Sequence, residues 1–166
     1  MKKDRHNRII KVLFELSKNY SPYKKVHADH ISKEYKPINI ISSQKRGGAE
    51  VVPYYPDLWC STKTNNIDIF EVWDSQTDDL KACVTDIVLA ALTPNIRYLY
   101  IVWFEQEQYD LARKLVKVIL TSVFNEDRTP LLESSQVKKN VTLIPNEILD
   151  EDGKLRKFLG KKLEFF

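Results

Sequence analysis

The stretch Tyr54-Tyr55-Pro56-Asp57-Leu58-Trp59-Cys60-Ser61-Thr62-Lys63-Thr64-Asn65-Asn66-Ile67-Asp68-Ile69-Phe70-Glu71-Val72-Trp73-Asp74 decides how this chain reads. β-Branched and aromatic residues dominate from Ala49 to Ser61 and again from Ile67 to Trp73, and Thr64-Asn65-Asn66 between them is a turn signal. The pattern predicts a hairpin. Its register matters, because side chains alternate faces and a one-residue slip reverses them. A two-residue loop, Asn65-Asn66, would set Asp57 against Asp74 and Glu71 against Cys60, on opposite faces. A three-residue loop, Thr64 to Asn66, or one bulge, pairs Trp59 with Glu71 and puts Asp57, Trp59, Glu71 and Trp73 on one face. Only the second register lets the two carboxylates Asp57 and Glu71 meet.

Outward from the hairpin, helical periodicity appears on both sides. Ile9, Ile10, Val12, Leu13, Leu16 and Tyr20 recur at helical spacing between Arg5 and Tyr20, with Arg8, Lys11, Glu15 and Lys18 on the polar side, and Ser21-Pro22 stops the helix. A shorter helix is expected from about Ala28 to Tyr35, capped by Pro37. Ile38 to Gly48 reads as a strand start followed by a turn. After the hairpin, Asp74 to Asp79 carries capping side chains and acids suited to a helix N-terminus. The helix from about Thr77 to Leu92 is apolar nearly all round and so expected to be central, with Asp86 facing a polar partner or the sheet edge. Arg97 to Phe104 is an apolar strand of the kind covered on both faces. Glu105 to Phe124 is an amphipathic helix, residues 125 to 139 a polar loop, Asn140 to Ile144 a further strand, and Leu155 to Leu163 a closing basic helix. The order predicts one α/β domain over residues 1 to 166, a mixed β-sheet with a central hairpin flanked by helices.

Composition agrees with a packed core: 43% of residues are hydrophobic and 30% charged, which argues against disorder and linker-like chains. The apolar runs, such as Ile87 to Leu92, are too short to span a bilayer. The basic start, Met1 to Arg5, leads into an amphipathic stretch rather than a secretory apolar core, so a cytoplasmic, non-membrane location is expected. Cys60 and Cys83 sit among apolar neighbours and read as core thiols. No P-loop, nucleophile elbow or Ser/His/Asp set is visible. His27 and His30 could share a helix face as metal ligands, but no further Cys or His joins them, and a surface helix start explains them as well.

Charge is sorted along the chain. Residues 1 to 50 hold 12 Lys/Arg against 5 Asp/Glu, residues 51 to 136 hold 7 against 13, and residues 137 to 166 hold 7 against 5. Basic flanks around an acidic centre suit a polyanion-binding protein whose carboxylates hold a divalent cation. Two strand-borne carboxylates that converge can bind Mg²⁺, which polarises a phosphate and activates a bound water. Lys45-Arg46-Gly47-Gly48 suits a phosphate-contacting loop or a plain turn. Trp59 and Trp73 could stack bases or pack under a helix.

In these residues the sequence resembles the PD-(D/E)XK nuclease superfamily, which has the restriction endonuclease-like fold. Pro56-Asp57 fits its first motif, Glu71-Val72 opens its second, and the helix, hairpin, helix, strand order fits its core across residues 5 to 124. The resemblance implies Asp57 and Glu71 as catalytic, metal-binding carboxylates with Glu15 as a third acid, Mg²⁺ or Mn²⁺ as cofactor, and DNA as substrate. Arg8, Lys11, Lys45 and Arg46 would contact the nucleic acid, and a homodimer is the form in which such nucleases often cut two strands. The chain departs from the family at Trp73, which stands where the lysine belongs, and an indole N–H does not replace a cation. Lys63 and Lys81 are the candidate substitutes. Without turnover, the same fold would serve as a DNA-binding or assembly module.

Overall fold

The computed structural model describes residues 2–42, 48, 50–73, 80–103, 109–122 and 124–142. In chain order these form α1 (Lys2–Lys18), β1 (Tyr23–Ala28), β2 (Ile38–Ser42), β3 (Glu50–Tyr54), β4 (Leu58–Thr62), β5 (Ile67–Trp73), α2 (Leu80–Ala91), β6 (Ile96–Trp103), α3 (Tyr109–Ser122) and β7 (Val137–Thr142). Five strands make one mixed sheet in the order β1-β4-β5-β6-β7, while β2 and β3 form a separate ribbon. β1, β4 and β5 run antiparallel, and β6 and β7 are parallel to β5. The chain is therefore α/β, with a mixed sheet flanked by helices.

Strand parity sorts the core into two layers. Even-numbered Leu58, Cys60, Phe70, Val72, Tyr100 and Val102 pack against Ile9, Ile10 and Leu13 of α1. Odd-numbered Ile69, Trp73, Leu99 and Ile101 pack against Cys83, Ile87 and Ala90 of α2, against Val116 and Ile119 of α3, and against Ile38, Ile40 and Tyr54 of the ribbon. β5 and β6 are thus covered on both faces, which is why their sequences read as nearly unbroken apolar runs. Burying a side chain such as Ile9, Ile10 or Leu13 stabilises the fold by roughly 1.5–3 kcal/mol each.

The expected helix from Ala28 to Tyr35 does not form. Tyr23–Ala28 is instead the edge strand β1, with a bulge between Tyr23 and Lys25. The chain then turns through His30, whose φ of 56° is left-handed, while Ser32 Oγ accepts the Ala28 N–H. His27 and His30 share no helix face. The expected strand from Ala49 to Ser61 is two strands, β3 and β4, parted at Tyr55-Pro56, because proline has no N–H to give a ladder. β6, α3 and β7 follow the expected order with ends shifted by a few residues. The closing helix from Leu155 to Leu163 lies outside the described residues.

The hairpin register differs from both expectations. Leu58 pairs with Phe70, Trp59 with Ile69, Cys60 with Asp68 and Ser61 with Ile67. The connection runs from Thr62 to Asn66, closed by the Thr62 N–H to Asn66 carbonyl bond at 2.8 Å and by Asn65 at a φ of 63°. Trp59 therefore faces Ile69 rather than Glu71. Beyond the last ladder pair the Asp57 bend brings its N–H to Glu71 Oε2, while its carboxylate meets the Val72 N–H and His6 of α1.

At the opposite end of β5, Asp68 is wholly buried. It accepts from Arg97 Nε at 2.9 Å, from Arg97 Nη2, and from the Tyr23 hydroxyl at 2.8 Å. The fork of donors on a carboxylate inside the α1 layer ties β1, β5 and β6 together. Removing one partner of such a pair strands the other. Asp68→Ala is expected to lower unfolding stability by roughly 3 kcal/mol, read from the midpoint of urea denaturation at constant m-value.

Candidate active site

Asp57 occupies the bend just before β4, and every polar group it carries is used. Its Oδ2 accepts the Val72 N–H at 2.7 Å, extending the β4–β5 ladder by a side chain. Its Oδ1 lies 3.1 Å from His6 Nε2 on the first turns of α1. The Asp57 N–H points at Glu71 Oε2, 3.3 Å away, and its carbonyl accepts the Asp29 N–H at 2.9 Å. Tyr35 donates its hydroxyl to the neighbouring Pro56 carbonyl, which fixes the chain leading into the bend.

Glu71 projects from β5 into the α2 layer and is only 4% exposed. Tyr54, at the end of the ribbon, donates its hydroxyl to Glu71 Oε1. Trp73, two residues on and 1% exposed, gives its indole N–H to Asp86 Oδ2 of α2 at 3.1 Å. The site is therefore built from four places: the start of α1, the end of the ribbon, the Asp57 bend and the β5–α2 pair.

Its electrostatics are one-sided. Burial pushes the Glu71 carboxyl well above the usual range, and the nearby charges of Asp57 and Asp86 push it further, against the opposing bonds from Tyr54 and the Asp57 N–H. Tyr54 is pushed up as well, first by burial and then by Glu71. Among the described residues, no cation offsets Glu71. The contrast with Asp68 on the same strand, which Arg97 neutralises, is direct.

The other predicted residues fall elsewhere. Glu15 follows His6 by nine residues on α1, about 13 Å along the helix axis, and α1 packs on the sheet face opposite Glu71. The α1 side chain at the site is His6, not Glu15. Lys63 is exposed at the hairpin turn, its N–H bonded to the Pro22 carbonyl, about 20 Å along the strand from Asp57. Lys81 is exposed on the first turn of α2, where its carbonyl accepts from Thr85. Arg8 and Lys11 are exposed on α1, whereas Lys45, Arg46 and the segment Asp74 to Asp79 lie outside the described residues. Trp59 stacks on His27 with ring centroids 4.3 Å apart and gives its indole N–H to the Lys36 carbonyl, so it pins the segment between β1 and β2. No three His, Cys, Asp or Glu side chains stand in metal-ligating range among the described residues. Among them also, no helix is long and apolar enough to cross a membrane.

His6 and Tyr54 are the site residues that the sequence did not reveal. Their partners lie 51 and 17 positions away, and no local pattern announces a contact of that range. No family model, curated protein or solved structure matches the chain.

The raised Glu71 pKa makes stability depend on pH. The folded chain holds this proton more tightly than the unfolded chain, so the contribution is full below the ordinary carboxylate range. It falls as pH rises toward the raised folded value. In chelator-treated protein, Glu71→Gln is expected to melt above the wild type at pH 8, with the gap closing by about pH 4. Melting curves at both pH values check this, and an equal gap at each would mean that ionisation of Glu71 is not what the substitution relieves.

Proposed function

We propose that the chain is a metal-dependent DNA nuclease of the PD-(D/E)XK kind, in which Asp57 and Glu71 hold a divalent cation, Mg²⁺ or Mn²⁺, for phosphodiester hydrolysis. One observation carries the reading. β5 buries two carboxylates, and the one with no cation beside it among the described residues, Glu71, is the one that receives the Asp57 N–H at the mouth of the hairpin. A buried carboxylate crowded by others is costly unless something positive shares the site. The element order supports it: α1, the antiparallel β1, β4 and β5 with the ribbon inserted, then α2 and the parallel β6, which is the helix, hairpin, helix, strand order of that core.

The donor set suits a hard divalent ion. All four oxygens of the pair are carboxylate oxygens, each accepts one described hydrogen bond, and each keeps a further lone pair. When bound, such an ion supplies Lewis acidity toward a phosphoryl oxygen and a lowered pKa for its water. The protein's own part is orientation. The Val72 N–H and the His6 ring fix Asp57, and the Tyr54 hydroxyl and Asp57 N–H fix Glu71, so both carboxylates are aimed before substrate arrives. Exposed Arg8 and Lys11, with Lys45 and Arg46 between β2 and β3, would grip the DNA backbone. Paired copies would cut two strands.

Trp73 favours a second reading, a nuclease fold that binds DNA or assembles with partners without turning over. Its indole is buried and its N–H is given to Asp86, so the position that needs charge supplies none. Incubation with plasmid and branched DNA in Mg²⁺ or Mn²⁺ separates the two. Cleavage is expected, with Asp57→Ala slower by roughly 10²-fold or more. Cleavage untouched by that substitution ends the assignment, while salt-sensitive binding without turnover establishes the second reading.

A further inference from the structure

We infer that the outer edge of β2 pairs with β2 of a second copy of this chain, joining two ribbons antiparallel about a two-fold axis into one continuous sheet. The inference stands apart from the nuclease reading and needs neither metal nor nucleic acid.

Among the described residues, β1 and β7 form the rims of the five-stranded sheet, and β2 and β3 each have an outer side without a neighbouring strand. Such edges invite a further strand unless something blunts them. β1 carries Lys24 and Lys25 and a bulge. β7 carries Lys138 and Lys139. β3 carries Glu50 and, opposite Asn39, Pro53, which has no N–H to offer. In contrast β2, Ile38-Asn39-Ile40-Ile41-Ser42, has no charge, no proline and no break in its register.

Pro53 also sets the direction of the free backbone groups. A proline in a ribbon turns its N side outward, so its partner Asn39 and, by alternation, Ile41 point their N–H and C=O groups away from β3. With Ile40 on the two-fold axis, Asn39 of each copy exchanges both bonds with Ile41 of the other. The side chains suit the same contact. Ile40 packs toward the core, whereas Asn39 and Ile41 are exposed, Ile41 by 60%, so each isoleucine lies beside a neutral amide. A strand without charge can lie against its own copy at no like-charge cost.

Assembly stops at two copies, because the pairing uses both β2 edges and leaves the β3 edges, with Glu50 and Pro53, outermost. A five-residue strand spans about 17 Å, and its edge buries less than the roughly 800 Å² per partner of a standard interface. The dimer is therefore reversible, with a dissociation constant in the roughly micromolar range or weaker.

Sedimentation velocity of the full chain over a concentration series, with chelator and without DNA, is expected to show monomer passing to dimer and no larger species. Amide exchange at Asn39 and Ile41 should slow as concentration rises, a readout that needs no variant. Ile41→Lys, at a side chain already in solvent, should weaken association at least about tenfold, whereas Val118→Lys on α3, where Val118 is 59% exposed, should leave it unchanged. A chain that stays monomeric throughout overturns the inference, as does a dimer whose Asn39 and Ile41 amides exchange as fast as the monomer's. Protection of those amides already in the monomer means that another part of the chain holds the edge, and equal loss from both substitutions means unspecific apolar contact; either result also overturns it.

Discussion

A central strand that buries one carboxylate into each face of the sheet is the constraint around which the molecule is arranged. Asp68 and Glu71 differ by three positions on β5, so alternation sends the first into the α1 layer and the second into the α2 layer. Neither can be left ionised and alone at these depths. On the α1 side the sequence supplies Arg97 from β6 and Tyr23 from β1, and the result is an internal clamp across three strands. On the α2 side it supplies a tyrosine hydroxyl, a backbone N–H and two more acids. Among the described residues, one end of the strand has its cation and the other has none.

That asymmetry distinguishes the two ends of a single element. The Asp68 cluster needs nothing further. Among the described residues the Glu71 cluster is held by protein donors and no cation, and burial with the neighbouring acids raises its carboxyl. Trp73 belongs to the same picture. Its indole anchors Asp86 through one hydrogen bond and fills the α2 layer with its rings, so the position serves packing.

Periodicity made much of the fold legible in the sequence. α1, α2, α3, β5 and β6 are long, regular in pattern and buried on definite faces, so their residues announced them. β1 did not. It lies at the sheet edge with Lys24 and Lys25 outward and a bulge near its start, which blurs the alternation that identifies a strand. The break at Tyr55-Pro56 was also missed, because its flanks are equally rich in strand-forming residues. The hairpin shows the sharper lesson. Its connection is two residues longer than the three-residue loop, so every partner differs from that register while its odd length is kept. The strand pattern leaves odd and even lengths open, and contacts at long range, namely those of His6 and Tyr54, leave no trace in it.

The paired lysines of β1 have a consequence beyond their own strand. A sheet that ends in an exposed backbone edge invites another chain to continue the ladder, and adjacent ammonium groups together with a local kink in the strand make that addition unfavourable. Extension of the sheet past β1 is disfavoured accordingly.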